Sequence, residues 1–206
     1  MSFLTAFFSK KNIFYILKYL SITVIFGTAI EMLRFTLNIN EPTSSKVEES
    51  FLSNMFWASI GIVLVAPILE EIAFRLPLKK NSYYLISITF CFLFFLSASS
   101  VFLKVTCFLY IIAVLAYQFS KISMSIMKNV IIILSTITFV LLHVDNYQEE
   151  QLDSLDIFSK IFLFLPQLVA GFILVKVRLK TFFFNAVIIH SLYNLIILTF
   201  ALLFNY

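Results

Sequence analysis

Charge is scarce in this sequence. Asp, Glu, Lys and Arg make up 13% of its 206 residues, where about a quarter is usual for soluble domains. With 61% hydrophobic residues, 26 Phe and a mean hydropathy of +1.01, the deficit excludes a soluble globular fold and reads as a polytopic integral membrane protein. Glycine is also rare, at three residues, and no internal repeat is visible. Both absences argue against a carrier built from broken helices and inverted repeats, although such a carrier could use the same buried acids and histidines as a relay. The two cysteines, Cys91 and Cys107, form no CxxC pair and lie in Phe-rich runs, so they read as small buried hydrophobes without chemistry. The net charge of +4 comes from short basic clusters between apolar runs rather than from a patch on a soluble face, which excludes nucleic acid as a partner.

What is abundant is apolar runs of about 20 residues, the length that crosses roughly 30 Å of hydrocarbon. About seven are predicted, near 13–37, 52–78, 83–99, 101–118, 129–146, 157–175 and 182–204, giving an all-α transmembrane bundle in one domain over 1–206. The third and fourth are divided only by the small polar tract Ser97 to Ser100, which suits a tight turn. The connections alternate in charge. One set carries Lys10 and Lys11, Lys79 and Lys80, Lys121 and Lys128, then Lys176, Arg178 and Lys180. The other carries Glu41, Glu48 and Glu49 with Lys46, the uncharged serine turn, then Glu149, Glu150, Asp153 and Asp156 with Lys160. By the positive-inside rule the N-terminus is cytoplasmic and the C-terminus outside, as expected for a multi-pass protein of the cell membrane. Met1 to Lys10 lacks the order of a cleavable signal, and Phe3 to Phe8 would suit the membrane interface.

Against this apolar background a few polar residues stand out, because an ionisable group inside a span is costly unless it is paired or lines a wet cavity. The second span contains Ala66-Pro67-Ile68-Leu69-Glu70-Glu71-Ile72-Ala73-Phe74-Arg75-Leu76-Pro77. Glu71 and Arg75 are i and i+4 on a helix, the order in which an acid and a base pair best. Glu70 points about 100° away and is free to face another helix. An ion-pair knot that fixes packing would explain one acid and one base; a second adjacent carboxylate demands another partner. His143 ends the fifth span, and His190 and Asn194 are i and i+4 in the seventh. These are the only two histidines of the chain. Lys18, Glu31 and Arg34 lie near the ends of the first span and Lys104 lies beside the serine turn, where long side chains snorkel to the interface. Pro166 and Gly171 in the sixth span are expected to shape helix packing.

Glu70-Glu71-x-x-x-Arg75, Phe139-x-x-x-His143 and His190-x-x-x-Asn194, in this order on successive spans, resemble the signature of the CPBP family. That family comprises type II CAAX prenyl endopeptidases, bacteriocin-processing and immunity proteins, and related abortive-infection-type membrane proteins. The resemblance covers roughly residues 52–204. It implies an intramembrane endopeptidase acting on a membrane-associated or lipidated peptide, with the lipid bilayer as its surroundings. It further implies Glu70 as general base on a water, His143 assisting it, Glu71 held by Arg75 as an orienting group, and His190 and Asn194 stabilising the oxyanion. A non-catalytic role in self-immunity or as a scaffold is the alternative that the family admits.

Two histidines and a glutamate could make a catalytic zinc site with one open position. No HExxH is present and the histidines lie on different spans, so a metal-free reaction is the favoured expectation. Counted from the basic ends of the spans, Glu70 and His190 lie about nine residues deep and His143 about fourteen, an offset of roughly 7 Å at helical rise. Tilt or a proline-induced break would have to close it.

Overall fold

The computed structural model describes residues 9–39, 49–50, 53–79, 83–119 and 124–205. The charges expected in connections at Glu41, Lys46, Glu48, Lys80 and Lys121, and the interfacial stretch Phe3 to Phe8, lie outside the described residues. All regular structure among those described is helical: α1 (Lys10–Thr36), α2 (Met55–Leu78), α3 (Tyr84–Ser97), α4 (Val101–Phe119), α5 (Met124–Val144), the short α6 (Glu149–Asp153), α7 (Ile157–Lys180) and α8 (Phe183–Asn205). Six of these are long and apolar enough to cross a membrane. The helix at the predicted third span, α3, has 14 residues, about 21 Å at 1.5 Å per residue, and is shorter than a full hydrocarbon core. The protein is therefore a polytopic helical bundle whose outer faces carry exposed Phe26, Phe102, Phe172 and Leu203, as a lipid-facing surface requires.

Helix α2 is the hub, touching α3, α5, α7 and α8, while α7 also packs on α1 and α5. Polar pairs fasten the ends. Asn12 and Asn185 exchange side-chain hydrogen bonds of 3.1 and 2.6 Å and join α1 to α8 at the basic end. At the acidic end Asp145 accepts from the backbone N–H groups of Ser99 and Ser100, at 2.8 and 3.0 Å, and so caps α4 from the end of α5. Asp156 caps α7 by accepting from Phe158 and Ser159 N–H. The serine turn is as tight as expected. Both cysteines are buried, the Cys91 thiol facing the Cys107 carbonyl at 3.7 Å. Glu31 and Arg34 pair with each other at 2.6 Å near the end of α1.

One placement differs from the sequence reading. Lys176, Arg178 and Lys180 lie within α7, which runs five residues beyond the expected 175. Lys176 and Lys180 are exposed, but Arg178 is buried against the end of α2. Free carbonyls there, described next, attract its guanidinium inward.

Candidate active site

Two prolines shape the helix that carries the glutamates. Pro67 has no N–H, and the turn before it, Gly61–Val65, is π-helical, with Ala66 N–H reaching back to Gly61. The carbonyl of Ile62 therefore has neither its α partner at 66 nor its π partner at 67. Asn194 of α8 supplies the missing donor, its Nδ2 lying 2.9 Å from Ile62 O.

Pro77 acts at the other end. The α-helical part, Ala66–Phe74, passes into a 3₁₀ turn at Leu76–Leu78, and the carbonyls of residues 73 to 76 lose the regular ladder. In a bilayer each unsatisfied carbonyl costs several kcal/mol. Four neighbouring helices answer. Ser87 of α3 donates to Ala73 O, Tyr110 of α4 and Ser135 of α5 donate to Phe74 O at 2.8 and 2.7 Å, and Arg178 of α7 donates to Arg75 O and Leu76 O at 3.1 Å each. Ser87, Tyr110 and Ser135 were not singled out from the sequence, and Arg178 was read there only as a charge of a basic connection. The signal that could have found them is Pro77, which announces free carbonyls, together with lone hydroxyls in otherwise apolar spans.

Between these fixed ends sit the charged groups. Glu71 and Arg75 are fully buried and face each other at 3.8 Å. The Arg75 guanidinium lies 4.0 Å over the Phe139 ring, and its nitrogens make no hydrogen bond to a described residue. Gly171 of α7 permits this stack: a Cβ there would meet Phe139 Cδ1 and Thr136 Cγ2 at 3.2 Å and Arg75 Nη2 at 3.7 Å.

His190 closes the cluster from α8. Its Nδ1 lies 3.1 Å from Glu71 Oε1 and its Nε2 3.8 Å from Glu70 Oε2, so one imidazole spans both carboxylates. Glu70 Oε2 and Glu71 Oε2 are buried without a donor among the described residues. Arg75 and His190 are thus the basic side chains that face the two carboxylates.

The structure thus brings Glu70, Glu71, Arg75 and His190 into direct proximity. His143 stands apart. It lies one turn beyond Phe139, whose ring is 4.7 Å from the His143 ring and 5.5 Å from that of His190. The two histidine rings thus both pack on Phe139. The Phe139 carbonyl can only accept, so its 2.9 Å contact with His143 Nδ1 places the proton on Nδ1 and leaves Nε2 as the acceptor. Asn194 directs one amide hydrogen to the π-helical turn and has a second to offer.

A metal does not fit these donors as they stand. Among the described residues no three His, Cys, Asp or Glu side chains are grouped to hold an ion. Each nitrogen of His190 faces a different glutamate, and His143 lies beyond Phe139.

Residues 52–196 match the family model described as Type II CAAX prenyl endopeptidase Rce1-like. The matched stretch contains all seven residues of the three motifs and begins after α1. No curated protein and no solved structure matches the chain.

Proposed function

The chain belongs to the Rce1-like type II CAAX prenyl endopeptidase family, and from that premise we propose that it cleaves a peptide bond of a membrane-associated, CAAX-like peptide with a water activated by Glu70. The observation that carries the reading is the single imidazole of His190 held between Glu70 and Glu71 within the bundle, with Arg75 behind Glu71.

Glu70 takes a proton from the water as its oxygen attacks the scissile carbonyl carbon. Proton transfer of this kind contributes about 10²- to 10⁴-fold. His190, oriented by Glu71 through Nδ1, presents an Nε2–H to the oxygen that becomes negative, and the second amide hydrogen of Asn194 supports it. One such donor is worth about 3–4 kcal/mol where water is scarce. Arg75 holds Glu71 in place. When the tetrahedral intermediate collapses, Glu70 returns its proton to the leaving nitrogen, and the C–N bond breaks to give a new carboxylate and a new amine. His143, on the Phe139 ring beside the cluster, takes the assisting role that the family signature assigns it. The core of this activity lies in 52–204, and the basic end of the bundle faces the cytoplasm, with the protein in the cell membrane.

The test compares peptide termini in membranes of cells carrying the native protein or Glu70→Gln at equal folded level. Termini that disappear with the amide identify both the activity and its substrate. Identical sets of termini would refute Glu70 as the base.

A further inference from the structure

A second polar site lies at the basic end, away from the glutamates. A cavity of about 300 Å³ opens between the start of α1, the end of α2 and the α7–α8 turn. That is roughly ten times the ~30 Å³ share of a liquid water. Lys11, Lys79 and Lys180 line it, with hydroxyls from Ser9, Tyr15 and Thr181, and no carboxylate is among the lining residues.

We propose that this cavity binds a phosphate group, either of an anionic lipid headgroup or of a free phosphate. Three lysines from three different elements converge on one space, and none of them pairs with a described carboxylate. Lys79 is fixed at the wall by donating to the Thr181 carbonyl at 2.9 Å, which presents its ammonium without neutralising it. Burial, with the positive charges of Arg178 and Lys128 nearby, pulls the Lys79 ammonium below its ordinary range, as an uncompensated positive potential must. The Asn12–Asn185 pair beside the cavity holds α1 against α8, so its walls are preformed. The site lies where the spans end, the depth at which headgroup phosphates reside, and cationic residues at that level attract anionic lipid. Nothing in this inference depends on peptidase activity.

The experiment uses the full chain in phosphatidylcholine nanodiscs, titrated separately with short-chain phosphatidylglycerol and with inorganic phosphate, with bound ligand read by native mass spectrometry. Two triple variants lose equal charge: Lys11→Gln, Lys79→Gln and Lys180→Gln in the cavity, and Lys10→Gln, Lys18→Gln and Lys176→Gln outside it. The cavity triple is expected to bind the anion on the order of a hundredfold more weakly, about fivefold per lysine, and the outer triple to keep it. Selective loss of phosphatidylglycerol assigns the site to lipid; selective loss of inorganic phosphate assigns it to the free ion. Absence of binding to the native chain, or equal losses in both triples, would overturn the proposal. Should the cavity triple fail to fold, Lys11→Gln and Lys180→Gln, each at an exposed position, are measured singly against the same fivefold expectation.

Discussion

The carbonyl of Phe74 offers a sharp test of how the glutamate-bearing helix is held. Tyr110 and Ser135 both donate to it, from α4 and α5, because Pro77 disrupts the ladder at this point. Tyr110→Phe and Ser135→Ala each remove one donor while the carbonyl keeps the other. Single hydrogen bonds between membrane helices average about 0.6 kcal/mol, so each variant should lose about that much. The edge-on packing of ring 110 against Phe74, with centroids 5.9 Å apart, survives the first change. The double variant is different in kind, since it strips both side-chain donors from a buried carbonyl and adds a penalty of about 1–3 kcal/mol. The expected sum of the singles is about 1.2 kcal/mol, against about 2–4 kcal/mol for the double. Reversible unfolding in mixed micelles, followed by circular dichroism, measures the cycle. Effects that add within about 0.5 kcal/mol would refute the claim that these hydroxyls share the role of satisfying the broken helix.

Three further outcomes follow from the same geometry. Gly171→Ala places a Cβ 3.2 Å from Phe139 and Thr136; overpacking of this kind costs about 1–3 kcal/mol, so both thermal stability and peptide cleavage should fall, and an unchanged melting temperature would show that α5 and α7 separate freely. Asn194→Ala leaves the Ile62 carbonyl without its side-chain donor, and Pro67→Ala in the same chain restores an N–H beside it; chemical unfolding should show stability regained in the double variant, while cleavage remains impaired because the oxyanion donor is still missing. Asp156, outside the span, is held below the usual carboxylate range by hydrogen bonds from Ser159 and Phe158. Its folded value is depressed, so its contribution is present at neutral pH and is lost as pH falls through that value. The melting difference between native and Asp156→Ala should therefore shrink as pH falls below the ordinary aspartate value of about 4, whereas a gap that persists undiminished in strong acid would show that the cap is not ionic.

Much of the architecture was legible in the residues alone, for a physical reason. A bilayer permits few spanning structures, so long apolar runs determine helices, and the prediction of 157–175 or 182–204 lands on α7 and α8 with only their ends displaced. Glu70, Glu71, Arg75 and His190 were equally visible, because charge inside an apolar span needs a reason wherever it is. Sequence spacing could pair Glu71 with Arg75 along one helix, since i and i+4 are neighbours on any α-helix. It could not say that His190 would span both carboxylates, or that Phe139 would stand between His143 and the rest. Those are relations between helices, set by tilt, by the approach that Gly171 permits and by the π-helical turn before Pro67. Arg178 shows the limit most clearly: by charge pattern it belongs to a basic end, and only the packed structure reveals the carbonyls of Arg75 and Leu76 that draw it into the core.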